Sequence, residues 1–319
     1  PLTRPGCPNS SDVHQVMSMP PNPLLQHLGF GPNDRVVIIH VDDVGMCHAS
    51  LQAFIDLWDA GTISSGAVMV PCPWFPATAA WARANPGVDL GVHATLNAEW
   101  AGYRWGPVGA RDRAGGLLDD GGYFHNLETA VWANADPAAA QAEVDAQVDM
   151  ALAAGIDVTH IDTHMGTITH PRFIQGYLQT LLRYRRPGLL PRLTGEQFLA
   201  YGITDDPAAA ELFAGMAAGL EAAGMPLIDA VDYLPLDDPT DQIGLARRKL
   251  AALPPGITHF LMHPAIDTPE LRAIAPDWPS RVANYQAFIS REVRDFLRAS
   301  DIHLIGYRPL REYMAAATI

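Results

Sequence analysis

Apolar and β-branched residues run together in short blocks along this chain. The first, Val36–Val41, is interrupted only by His40, and seven more follow: Gly66–Val70, Val88–Thr95, Val158–Thr163, Leu189–Leu193, Leu227–Val231, Thr258–Met262 and Ile302–Gly306. Each has the length of a strand rather than of a helix. Between the blocks, apolar positions recur at spacings of three and four, which predicts helices. In residues 48–60, Leu51, Phe54, Ile55 and Trp58 fall on one face before Gly61, a natural stop. Comparable periodicity covers residues 76–84, 138–154, 171–185, 207–223, 241–252 and 280–299. Strands alternating with helices predict an α/β fold of the (β/α) barrel kind, similar to a TIM barrel but distorted or incompletely closed.

Residues 1–33 are rich in Pro, Asn and Ser and read as an extended N-terminal arm, leaving residues 34–319 as a single domain. A length of 319 residues suits one barrel with insertions. With 48% hydrophobic and 18% charged residues, the chain can bury a sizeable core and is not disordered. The connection over residues 97–127 breaks the rhythm with two Trp, two Tyr and many Gly. A loop of that length inside a compact domain is usually functional, so it is a candidate substrate wall.

A formal charge of −14 argues against nucleic acid or an anionic membrane as partner. No apolar run reaches the roughly 18 to 20 residues of a membrane span. The opening residues lack the charged start and apolar centre of an intact secretory signal. Cys7, Cys47 and Cys72 form no CxxC and no disulfide scaffold, so a reducing compartment is the default. A cytoplasmic location is expected, with export left open because the sequence does not begin with Met. Homo-oligomerisation is left open as well. Lys249 is the only lysine, so a Schiff-base mechanism has a single candidate residue.

The chemistry gathers where the predicted strands end. Asp42 and Asp43 close the first, His93 lies in "DLGVHATLN", His164 in "THIDTHMG" and His263 in "HFLMHP". In a barrel the C-terminal strand ends share one rim, so these distant residues converge. Two adjacent carboxylates at the end of a buried strand repel each other and need compensation. A divalent cation held by one aspartate and two histidines would provide it. That donor set suits zinc first, with Fe, Co, Ni and Mn also compatible; Mg usually prefers more oxygen ligands. The other aspartate is then free to take a proton from a metal-activated water.

"VIIHVDDVG", "DLGVHATLN", "THIDTHMGTITHP" and "FLMHPA" together resemble the four signature blocks of the YdjC-type carbohydrate deacetylases, in that family's order, over residues 36–265. The resemblance implies a distorted (β/α) barrel that hydrolyses the acetamide of an amino sugar or oligosaccharide. It implies metal binding by Asp43, His93 and His164, base catalysis by Asp42, and protonation of the departing amine by His263. One departure stands out: relatives often continue the third block with further histidines, whereas Met165, Gly166, Thr167 and Ile168 follow His164 here, and His170 comes only later. Residues contacting the sugar are the ones this change affects.

Several neighbours complete the expected site. His160, four residues before His164 on a strand, shares its face at greater depth. Asp162 is placed to orient a histidine, and His40 to stand behind the aspartates. Trp100 and Trp105 on the long loop are candidate stacking faces for a sugar ring, and Arg281 begins a helix near the rim. Two other functions fit the same residues: hydrolysis of a different amide or ester, and sugar binding without turnover.

Overall fold

The computed structural model describes residues 19–201 and 203–317. Its centre is β1 (Arg35–Val44), with every residue after the first buried. Six more strands occur among the described residues: β2 (Ser65–Val68), β3 (Leu90–Ala94), β4 (Val158–Thr163), β5 (Ala230–Tyr233), β6 (Gly256–Met262) and β7 (Ile302–Leu304). All neighbours are parallel, in the order β4-β3-β2-β1-β6-β5. The short β7 pairs with the first residues of β1, whereas β2 pairs with its last ones. β7 therefore wedges between β1 and β2 at the lower end of the sheet.

The expected eighth strand, Leu189–Leu193, is not one. Gly188 and Pro191 make single bridges, to Ile161 of β4 and to Ile228 before β5. Pro187 and Pro191 carry no N–H, which prevents a continuous ladder. Among the described residues this irregular segment is all that spans the gap between β4 and β5, so the barrel closes weakly on that side. The result is the distorted α/β barrel, with helices between the strands.

The alternation along β1 sorts its side chains. Val37, Ile39 and Val41 pack outward into the main core beneath the helices. Val36 and Ile38 point inward, into a second cluster with Ile228, Ile257, Tyr307 and Leu310 that plugs the lower barrel. Leu24 and Leu25 belong to the same plug. They sit on a short helix, Pro23–His27, capped by the Asn22 side chain, which also donates to the Leu227 carbonyl. The end of the segment expected as an extended arm is thus docked, because two leucines in a row find an apolar barrel floor. Residues 1–18, with Cys7, lie outside the described residues; Cys47 and Cys72 are buried free thiols.

Above the plug the interior turns polar, with His40, His160 and His259 fully buried. Gly91 of β3 makes room for one of them: a Cβ there would lie 2.5 Å from the His160 ring. Gly91→Val should therefore overpack the barrel and cost roughly 1–3 kcal/mol of stability. Thermal or urea unfolding measures this, and an unchanged midpoint would mean that the imidazole can move aside.

Candidate active site

Adjacent residues of a regular strand face opposite sides, yet Asp42 and Asp43 both reach the barrel mouth. A bulge makes this so. The pairing of β1 with β2 shifts register between Val41 and Val44, and Asp43 has φ +60°. Aspartate tolerates this left-handed conformation better than a bulkier residue. Gly45 completes the turn at φ +77°, where a Cβ would meet the Thr78 hydroxyl at 2.6 Å.

Asp43 faces two imidazoles. Its Oδ1 lies 3.4 Å from His93 Nε2 and 3.2 Å from His164 Nδ1. Candidate ligand atoms of the three residues all fall within 4.8 Å of one another. Each imidazole is oriented from behind. His93 Nδ1 donates to Asp162 at 2.7 Å, and His164 Nε2 donates to Glu99 at 3.1 Å, since a carboxylate can only accept. In the neutral form of each ring, the nitrogen turned toward Asp43 is then the one with the lone pair. His93 Nε2 and Asp43 Oδ1 are buried and have no hydrogen-bond partner among the described residues. Converging lone pairs, with the opposite ring nitrogen tied to a carboxylate, are what a bound divalent cation requires.

Charge in the site is balanced pair by pair. Burial opposes ionisation of Asp43, but the Arg281 guanidinium and the two imidazoles outweigh it and hold the carboxyl well below its usual range. Arg281 Nη1 donates to Asp43 Oδ2 at 2.7 Å, its Nε donates to Asp277, and it lies 5.3 Å over the Trp100 ring. Burial disfavours a charged His164, yet Glu99 and Asp43 push it up to about 9. His93 is likewise raised, against its burial, by Asp162 and Asp42. The pocket draws positive charge toward Asp43.

Asp42 stands beside this group. Its Oδ1 accepts from His40 Nδ1 at 2.7 Å, while Oδ2 lies 3.5 Å from His263 Nε2 and 4.0 Å from His93 Nε2. Burial opposes its ionisation, but His93, His40 and His263 hold it below the usual carboxylate range. His263 follows β6 and donates its backbone N–H to Asn284. Burial lowers its side-chain pKa, against the pull of Asp42.

Behind Asp42 a chain of rings descends into the barrel. His40 Nε2 meets His160 Nε2 at 2.9 Å, and His160 Nδ1 lies 2.9 Å from the Thr159 hydroxyl. The His160 ring stacks on Tyr307 at 3.9 Å, and the Tyr307 hydroxyl reaches His259. Burial, and then His40 and His259, lower the pKa of His160. It is therefore a neutral support for His40 and a step removed from the cluster around Asp43.

Asp42, Asp43, Asp162, His164, His263, Arg281 and Trp100 line one cavity of about 1330 Å³. Trp105 is not part of that wall. It is buried, with its indole N–H donating to the Asn97 carbonyl and its ring against Trp100 and Tyr103. Glu99, Asp277, Asn284, His259 and Tyr307 escaped the sequence reading. For Glu99 the available signal was its place six residues after His93, at the start of the long loop.

The sequence matches the YdjC-like protein family over residues 36–299. A carbohydrate deacetylase of Thermus thermophilus is 35% identical over 289 residues, covering 91% of this chain and 98% of the relative. Another, of Thermoanaerobacter pseudethanolicus, is 22% identical over 87% of this chain and all of its own length. Among solved structures, one from Enterococcus faecalis, described as a cellobiose-phosphate cleavage protein, superposes with a TM-score of 0.71 at 20% identity, covering 87% of this chain and 99% of that one. That likeness concerns the fold.

Arg281 offers a direct test of the charge balance. In chelator-treated protein, Arg281→Met leaves Asp43 buried without its guanidinium and should cost about 3–5 kcal/mol, the usual penalty for removing one partner of a buried pair. The double variant Arg281→Met/Asp43→Asn should recover most of the loss in urea titrations. A single variant with the unsubstituted midpoint would contradict the pairing.

Proposed function

This chain belongs to the YdjC-like protein family, and we propose that it is a metal-dependent carbohydrate deacetylase that hydrolyses the acetamide of an N-acetylated amino sugar or oligosaccharide. The observation that carries this reading is the arrangement around Asp43: two imidazoles, each tied to a carboxylate by one nitrogen and presenting the other to Asp43 Oδ1. Asp43, His93 and His164 are the proposed ligands of one divalent ion. Zinc fits one carboxylate and two imidazoles best, ahead of Mn, Fe, Co, Ni and Mg. When bound, such an ion acidifies water and polarises the acyl oxygen.

The protein's own groups supply the proton transfers. Asp42, with Oδ1 fixed by His40, has Oδ2 free to accept the proton of the attacking water. An amine does not depart readily as an anion, so its nitrogen needs a proton, and His263 is the proposed donor. Asp42 Oδ2 and His263 Nε2 lie 3.5 Å apart, which supports reading them as a paired acceptor and donor. A proton taken by Asp42 is then one transfer from the imidazole that gives it up, which suits a His263 that burial keeps neutral beforehand. Asp162 and Glu99 set the ring orientations, and Arg281 holds Asp43 in place.

A second reading, hydrolysis of a different amide or ester at the same centre, is favoured by one feature. Met165 and Gly166, at φ +53° and +69°, turn the chain directly after His164, where the signature block that this sequence resembles would continue with further histidines.

Two sets of variants test the assignment. His93→Ala and His164→Ala should lose most bound metal and nearly all acetate release while keeping the fold, as read by elemental analysis and circular dichroism. Asp42→Asn and His263→Gln should retain metal and lower kcat by roughly 10² to 10⁴. On an activated ester, whose leaving group needs no proton, the His263 variant should recover and the Asp42 variant should not. Recovery of the Asp42 variant instead would reverse the two roles.

A further inference from the structure

Asp42 Oδ1 is the upper end of a hydrogen-bonded chain that crosses the barrel interior and ends on Asp89, a buried residue just before β3. Asp89 accepts at Oδ1 from the Ser65 hydroxyl at 2.7 Å and from the Thr159 hydroxyl at 2.9 Å, and at Oδ2 from the Arg308 backbone N–H at 2.7 Å. A hydroxyl has one proton to give. With that proton on Asp89, Thr159 has only lone pairs to offer His160, so His160 Nδ1 is the donor across their 2.9 Å contact. His160 is neutral, because burial, and then His40 and His259, lower its pKa, and its Nε2 therefore carries the lone pair. The 2.9 Å between His160 Nε2 and His40 Nε2 holds one proton, which belongs to His40. On the other side of that ring, His40 Nδ1 lies 2.7 Å from Asp42 Oδ1, and a carboxylate can only accept. Every link runs in one direction.

We propose that Thr159 is a remote positioning residue for the reaction: with its proton committed to Asp89, it fixes the tautomer of His160 and thereby makes His40 a two-donor imidazolium clamped on Asp42. The proposal rests on the deacetylase reading, in which Asp42 accepts the proton of the attacking water, and it adds how that acceptor is held. Two carboxylates flank the ring that carries the charge. Besides Asp42, Asp162 Oδ2 lies 3.6 Å from His40 Nε2. The other titratable groups facing the ring are His160 of β4, His259 of β6 and Tyr307, and none of them competes for the charge. Burial lowers the pKa of both histidines and raises that of the tyrosine, so all three are neutral. A hydrogen bond charged on both sides is among the strong ones, which ties Asp42 Oδ1 down and leaves Oδ2 turned toward His263. Thr159 is fully buried and is not part of the cavity wall. Its effect on the reaction passes through two imidazoles.

The test uses the full chain with isotope-labelled histidine at neutral pH. In the unsubstituted protein, zinc-loaded or chelator-treated, nitrogen correlation spectra should show a proton on both ring nitrogens of His40, the signals being assigned by their absence from His40→Asn. Thr159→Val keeps the shape of the side chain and removes the hydroxyl. His160 Nδ1–H then has no acceptor, so the ring adopts its other tautomer and donates from Nε2, which leaves His40 with one bare nitrogen. With methyl 2-acetamido-2-deoxy-β-glucopyranoside as substrate, kcat should fall roughly 10-fold to 100-fold while KM and bound zinc stay unchanged, the usual range for losing an outer partner of a site. Thr159→Ser, which restores the hydroxyl, should recover most of the lost kcat and the two-proton signature; a merely structural role would not follow the hydroxyl. One bare nitrogen on His40 in the unsubstituted protein overturns the proposal, whether or not the valine variant folds. So does a Thr159→Val protein with unchanged His40 signals or unchanged kcat. If the unsubstituted protein releases acetate neither from this glycoside nor from N-acetylglucosamine oligosaccharides, the deacetylase reading fails by itself, and the spectra alone then decide whether Thr159 sets the charge on His40.

Discussion

Four carboxylates, Asp42, Asp43, Asp162 and Glu99, crowd one end of a barrel, three of them buried and the fourth nearly so. Bringing them together out of water is unfavourable unless each is met by a cation or a donor. The surrounding structure reads as the answer to that demand. Arg281 crosses from its helix to Asp43, His40 turns to Asp42, His93 to Asp162 and His164 to Glu99. The second ring nitrogen of His40 needs a partner in turn, and His160 provides it in the space left by Gly91. A polar cluster at the mouth has thus dictated an interior of imidazoles where many barrels carry branched aliphatics.

The order of strands and helices was legible because buried strands and amphipathic helices leave different periodicities. Val158–Thr163 has the same bounds in sequence and structure. Leu189–Leu193 misled because its leucines carry a strand-like pattern, while the prolines beside them deny the hydrogen bonds. At the site, residues at strand ends could be grouped from the sequence, since strand ends in a barrel share a rim. The structure brings Asp43, His93 and His164 together, and a bulge of one residue decides that it is Asp43, not Asp42, that faces the two histidines. Spacing alone carries no trace of that bulge. Glu99 had only its nearness to His93 in sequence to mark it, for where a loop side chain ends up depends on how the loop packs. The apolar residues of the 207–222 helix were legible as a helix, but nothing in their period distinguishes a face that meets core from one that meets a cavity.

The gap between β4 and β5 links the weakest part of the fold to the apolar end of the cavity, lined by Val231, Tyr233, Phe213 and Met216. A barrel closed by a regular strand at residues 187–191 would pack Val231 and Tyr233 and remove the space beside them. Leaving the wall irregular costs backbone hydrogen bonds on one edge and yields room next to the carboxylates. The helix Pro207–Ala222, with only Ala210 fully buried, partly covers that room without filling it.

The central strand also has a bearing on how the protein is made. β1 is synthesised early, yet its partners β6 and β7 begin at residues 256 and 302, and the guanidinium that meets Asp43 belongs to residue 281. Contacts of such long sequence separation form slowly and leave early segments waiting for late ones. While the chain grows, Asp42 and Asp43 must stay hydrated on an unpaired strand, for their counter-charges have not yet been translated. The two aspartates then act as gatekeepers against premature burial and strand association in a nascent chain otherwise rich in β-branched residues at this point. The site comes together only when nearly the whole sequence is available, so a chain truncated before residue 281 should lack it altogether.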